Sequence, residues 1–281
     1  MTPAEKDVLP EIGIVATREI DGLAIRYARS GAAEGMPILL TAPWPESIYS
    51  FHRVLPRLAA AHPLIAVDLP GFGHSQSRPD VLAPEAMGNF MISLLTYFGL
   101  DRTHVIAPDV GTLAVLFAAS KEANRFESLV LGGGAMHIDL AAGSLKDLIH
   151  SPPEAFAAID GAERVKNYLS HAAELTPAAI IEDFRAASAG RRFEEATQFV
   201  RGYIPDLPKL AAKLSGIETP ALIIAGKNDP IVPPANGQFL ADRLPHNRYV
   251  LLDAQHRVWE EAASDYTDSL VSWFGGGYRR L

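Results

Sequence analysis

The chain has 281 residues, 48% apolar and 21% charged, with a net charge of −8 and no cysteine. That length and balance suit one α/β domain, or one domain carrying an insertion, with a sizeable core. The acidic balance argues against nucleic acid or an anionic membrane as partner. The missing cysteine excludes disulfides, thiolate metal sites and a cysteine nucleophile.

The opening stretch MTPAEKDVLPEIG carries acidic residues and no apolar run, so no secretory leader is expected. No segment reaches the roughly 18 apolar residues of a membrane span, and the expectation is a cytoplasmic protein. Residues 22–31, GLAIRYARSG, alternate like an antiparallel strand. Residues 37–43 and 63–71 are continuous apolar runs, as in strands buried on both faces. Between them 47–61 reads as a helix capped by Ser47. A helix over 84–98, a strand at HVIAPD (104–109), a helix over 112–122 and a strand over 127–134 follow. From 137 to 214 only helical segments are legible. The alternation resumes with a strand at 221–230, a helix over 234–244, a strand at 248–254 and a final helix ending near Phe274.

Strands separated by helices predict a mostly parallel sheet with right-handed crossovers, flanked by helices. The core then comprises 1–136 and 215–281. The helical block 137–214 forms a cap over the C-terminal strand ends, where open α/β sheets bind ligands.

Three places on that rim carry chemistry. Asp109 sits on a sharp strand-to-helix turn, with small Ala107 and Gly111 two residues to either side. Such spacing relieves crowding around a strained, presented side chain. The competing reading is an aspartate that merely caps the next helix. Asp229, in Asn228-Asp229-Pro230, stands just past a buried strand, as a site residue or as turn chemistry. His256 follows the last strand. The chain order is nucleophile, acid, histidine.

Over nearly its whole length the chain resembles the α/β-hydrolase fold family. Within it, the resemblance is to the aspartate-nucleophile branch of epoxide hydrolases and haloalkane dehalogenases. The Asp109 turn carries it together with PWPES (43–47), VDLPGFGHS (67–75) and HRVWEE (256–261). Where that branch has His-Gly-x-Pro, this chain has Ala42-Pro43-Trp44-Pro45, with a proline that lacks a donor in the glycine slot. The resemblance implies a cis Trp44–Pro45 bond. It also implies Asp109 as nucleophile, Asp229 orienting His256, and the N–H groups of Trp44 and Val110 as the oxyanion hole. No cofactor and no metal are implied.

A serine needs a base before it can attack, whereas aspartate is already ionised at neutral pH. It can displace a leaving group from carbon and form an alkyl ester, leaving histidine free to activate water against that ester. The leaving group decides the reaction. Related haloalkane dehalogenases place a tryptophan after the nucleophile and often an asparagine in the preceding loop, where this chain has Val110 and Trp44. Fluoroacetate dehalogenases place arginines where it has Val110-Gly111-Thr112-Leu113. Related epoxide hydrolases place one or two cap tyrosines above the nucleophile. Here Tyr203 matches the later of these, and Tyr168 or His150 stands for the earlier.

The leading expectation is therefore a cofactor-free epoxide hydrolase giving a vicinal diol. The alternatives are a dehalogenase using Trp44, and a biosynthetic or ligand-binding homologue. The expected partners are water and a small apolar or aromatic organic substrate, with a homodimer open. Phe51, Phe72, Phe156 and Phe184 are expected to face the pocket. Arg191-Arg192 reads as a solvated helix face, Trp259 and Trp273 as packing for the final helix, and the glycines 132–134 as a tight turn.

Overall fold

The computed structural model describes residues 8–170 and 174–281; residues 1–7, on which the leader expectation partly rests, lie outside it. Eight strands form one sheet in the order β1-β2-β4-β3-β5-β6-β7-β8. They are β1 (Ile14–Ile20), β2 (Leu23–Gly31), β3 (Ile38–Thr41), β4 (Pro63–Val67), β5 (Thr103–Pro108), β6 (Phe126–Gly132), β7 (Ala221–Gly226) and β8 (Asn247–Leu252). β1 and β2 are antiparallel to their neighbours, and every pairing from β4 to β8 is parallel. The continuous apolar runs of β3, β5, β6 and β7 are buried at every position.

Side chains of a strand alternate between faces, and so two cores form. Val105 and Ala107 of β5 join one core with helices α2 (Pro84–Tyr97) and α3 (Val110–Ala119). Ile106 joins the other, with α1 (Leu55–Ala59). β1 is an edge strand the apolar pattern does not announce, because only Ile20 of its seven residues is buried. The helix expected over 47–61 is broken: Ser47 caps a 3-10 turn, Ile48–Phe51, and α1 begins afresh with Pro56 in its first turn.

Between β6 and β7 lie α4 (Gly143–His150), α5 (Gly161–Leu169), α6 (Ala178–Ala187), α7 (Arg192–Arg201) and α8 (Tyr203–Ala211), with no strand among the described residues. Phe193, Phe199 and Leu207 extend the first core over the strand ends, and Val165, Ile180 and Phe184 extend the second. Polar ties fasten this insertion down. Asp183 of α6 accepts from Arg26 at 3.0 and 3.3 Å and from Ser47 at 2.5 Å. Arg192 donates to the carbonyls of Gly73 at 2.6 Å and Ser75 at 2.8 Å, so it is a tie to the core and not a solvated face; Arg191 alone is exposed. After β7 come α9 (Ala235–Ala241), then α10 (Val258–Glu261) and α11 (Ala263–Phe274), which divide the expected final helix at Ala262. No helix of the described residues is long and apolar enough to cross a membrane.

Candidate active site

From β3 the chain crosses to β4 on one side and then to β5 on the other, so the strand order reverses between β3 and β5. A crevice opens there at the strand ends. Trp44 follows β3 and Asp109 follows β5, which puts both at the reversal.

Asp109 has φ 55° and ψ −124°, a conformation costly for any side chain but glycine. Its neighbours make the turn possible. A Cβ on Gly111 would run into Thr41 Oγ1 of β3, so the helix can start that close to the sheet only with glycine there. The Asp109 side chain makes no cap bond to α3, which removes the simple capping reading. Its Oδ2 instead accepts the Trp44 N–H at 2.7 Å. Proline at position 43 leaves that donor in place, and the Trp44–Pro45 bond is cis. Val110 opens α3, where an N–H has no acceptor within the helix, but it makes no bond to the carboxylate. Only one of the two expected N–H groups therefore reaches Asp109.

On the other side, His256 Nε2 stands 3.7 Å from Asp109 Oδ1, and its Nδ1 is 2.7 Å from Asp229 Oδ2. Asp229 serves both readings at once. Oδ1 accepts the N–H groups of Ile231 and Val232 at 2.8 and 2.9 Å, fixing the turn, while Oδ2 holds the imidazole. Burial pulls the His256 imidazole down, but the carboxylates of Asp229 and Asp109 overcome it and hold it up at about 10.

A cavity of about 320 Å³ opens over this group, lined by Trp44, Asp109, His256, Tyr168, Phe193 and Arg164 among others. It lies at the small end of the roughly 300–1,000 Å³ typical of ligand sites. Tyr168 lines it. Tyr203 does not: it is 2% exposed and stacked edge-on against Phe199, 5.8 Å between centroids. Burial pushes both hydroxyls well above their ordinary range, and the Asp109 charge adds to this in each case. His150 ends α4 on its exposed side, because Leu145, Leu148 and Ile149 turn the other face inward; it does not line the cavity. Phe51, Phe72, Phe156 and Phe184 also fail to reach it. They fill the two cores, and the aromatic wall is Trp44 stacked on Phe193 at 5.1 Å. Among the described residues no three His, Asp or Glu side chains converge as a metal-binding set.

Behind His256 lies a buried network that the sequence reading did not single out. Glu46 Oε1 accepts Arg257 Nε at 2.6 Å, and Oε2 accepts the Trp259 indole at 3.1 Å and Ser50 at 2.6 Å. Against the pull of burial, Glu46 keeps Arg257 charged. Burial pushes the nearby Glu260 carboxyl up to about 8, with Arg257 opposing. The pair ties the loop bearing Trp44 to the loop bearing His256. Its signal was present as opposite charges inside PWPES and HRVWEE, but nothing local in a sequence joins residues 211 positions apart.

The chain belongs to the alpha/beta hydrolase fold family, whose model matches residues 37–199, more than half of its length. It is a hydrolase of that family. It is 26% identical over 252 residues to an uncharacterized hydrolase, YugF, of Bacillus subtilis (strain 168), covering 86% of this chain and 91% of the relative. It is 28% identical over 127 residues to a soluble epoxide hydrolase of Corynebacterium sp. (strain C12), covering 45% of this chain and 42% of that protein. The crystal structure of a hydrolase from Pseudomonas aeruginosa PA01 superposes with a TM-score of 0.78 at 24% identity, over 94% of this chain and all of that one.

Proposed function

We propose that the protein is an epoxide hydrolase in which Asp109 opens the oxirane and the alkyl ester so formed is hydrolysed to a vicinal diol. The observation that carries this reading is an aspartate held in a strained turn, free of any helix-capping duty, between one N–H donor and an Asp229-oriented histidine.

Asp109 Oδ1 attacks an oxirane carbon while Oδ2 stays bonded to the Trp44 N–H. The C–O bond breaks, and the developing alkoxide takes a proton from Tyr168, the tyrosine that lines the cavity. Esterification then removes the negative charge of Asp109. One of the two carboxylates that hold up the His256 pKa is lost, and the imidazolium gives up its proton, which restores the Tyr168 hydroxyl and leaves a neutral imidazole when a base is first needed. Water activated by His256 attacks the ester carbon, and Trp44 N–H stabilises the oxyanion on Oδ2. Cleavage of the Oδ1–C(carbonyl) bond releases the diol oxygen as an alkoxide that takes the proton of the newly formed carboxylic acid, so Asp109 is a carboxylate again and His256 keeps the proton it took from water. The helical insertion acts as the lid that carries Tyr168 and closes the site over an apolar or aromatic substrate. Similarity to a soluble epoxide hydrolase supports the reading.

One observation favours a second reading: the Trp44 side chain lines the same cavity, where its indole N–H could hold a departing halide. Intact-mass spectrometry of the His256→Gln variant separates the two. With styrene oxide the variant accumulates an adduct of the whole substrate mass. A dehalogenase accumulates alkyl adducts from haloalkanes instead, and no adduct with either class refutes an Asp109 nucleophile.

A further inference from the structure

The cavity wall is apolar around Leu145, Leu148, Val165 and Phe193, yet it contains one arginine the proposed reaction does not use. Arg164 of α5 lies with its guanidinium carbon 5.2 Å from the centre of the Phe193 ring, and Phe193 is stacked on Trp44 at 5.1 Å. The cation is thus two ring stackings from the residue whose N–H holds Asp109. Among the described residues no carboxylate lies within ion-pair distance of Arg164. Arg164 is half-buried; the exposed Arg191, just before α7, pairs with Glu194 at 3.4 Å instead. Ser144 of α4 and Asn167 of α5 line the same cavity and bring further hydrogen-bonding groups to it.

A guanidinium left unpaired on an apolar wall, with its face already covered by an aromatic ring, keeps its edge free to bind a planar anion through two parallel hydrogen bonds. We infer that Arg164 is the anion-recognising end of the site. The substrate is then an amphipathic acid: an epoxide at one end, an apolar or aromatic spacer along Phe193, and a carboxylate at the other end. This rests on the epoxide-hydrolase reading and adds the substrate class to it. Arg164 would also let a cavity holding the Asp109 carboxylate accept an anion, because its charge offsets the repulsion.

The test is an equilibrium one, so it stands apart from turnover. Binding of 4-phenylbutanoate and 4-phenylbutanamide, equal in length and differing in charge, is measured by isothermal titration calorimetry. The acid is expected to bind roughly 10- to 100-fold more tightly to the wild-type protein, the range for one contact between charged partners. Arg164→Gln is expected to erase that preference and Arg164→Glu to reverse it, with circular dichroism verifying the fold of each. Equal affinity for the two compounds, no measurable binding of the acid, or a preference surviving in Arg164→Gln overturns the inference. Failure of the nucleophile reading would appear elsewhere, as the absence of a His256→Gln adduct with styrene oxide, a neutral epoxide.

Discussion

Glu46 offers the sharpest energetic test, because three donors converge on one buried carboxylate. Replacing it by alanine strips Arg257 Nε of its 2.6 Å partner and leaves the Trp259 indole unpaired, while the Ser50 hydroxyl keeps the Ser47 carbonyl at 2.8 Å. The Arg257 side chain is only 4% exposed, so water cannot take over. Removing one partner of a buried pair costs about 3–5 kcal/mol, since an uncompensated charge stays inside. One effect works against the full loss. Glu260 lies 3.7 Å from Arg257 Nη2, and its carboxyl, held up at about 8, can ionise once Glu46 is gone. The expected cost at neutral pH is therefore near the lower bound, about 3 kcal/mol. Urea unfolding followed by circular dichroism reads it as a fall in midpoint with unchanged slope. The double variant Glu46→Leu/Arg257→Met, which removes both charges, should recover most of the loss. A Glu46→Ala cost under about 1 kcal/mol would refute the claim that this pair is buried and mutually dependent.

Further outcomes follow from the same geometry. In Asp109→Asn the His256 imidazole loses one of its two carboxylates, so its ring protons should titrate at lower pH in NMR than in the wild type; an unchanged titration would mean that the two groups do not interact. Glu260, whose folded pKa of about 8 exceeds the ordinary value of 4.5, adds stability that is full at low pH and is lost as pH rises towards 8. Glu260→Gln should accordingly flatten the stability profile between pH 5 and 8, by thermal melts, and an equally steep profile would contradict this. Gly111→Ala forces a methyl onto Thr41 Oγ1, and about 1–3 kcal/mol of stability should be lost together with epoxide turnover. Tyr168→Phe should slow alkylation in stopped-flow by about 10²-fold or more, and Tyr203→Phe, away from the cavity wall, by much less.

Much of the architecture was legible in the residues. β3, β5, β6 and β7 are buried on both faces, which leaves an unbroken apolar run that few other structures produce. β1 escaped because an edge strand with only one buried residue carries almost no apolar signal. Asp109, Asp229, His256 and Trp44 could be singled out because each stands within a few residues of a strand end, and parallel strands deliver their ends to one rim. Which residue of the helical insertion reaches that rim was beyond local pattern. His150, Tyr168 and Tyr203 differ in the rotation of three helices, and that rotation is set by packing. The phenylalanines show the same limit: hydrophobicity marked Phe51 and Phe184 as buried, but not whether the space around them is core or cavity. Arg192 looked solvated because its acceptors, the backbone carbonyls of Ala187, Gly73 and Ser75, are invisible in sequence.

One isotope experiment bears on the nucleophile most directly. A single turnover of excess enzyme with styrene oxide is run in ¹⁸O-water, and the peptide containing Asp109 and the diol are analysed by mass spectrometry. ¹⁸O is expected in the Asp109 carboxylate and none in the first diol, because the new hydroxyl oxygen is Oδ1 itself. Label appearing in the diol while the peptide stays unlabelled would mean that water attacks the oxirane directly, and the covalent role of Asp109 would be contradicted.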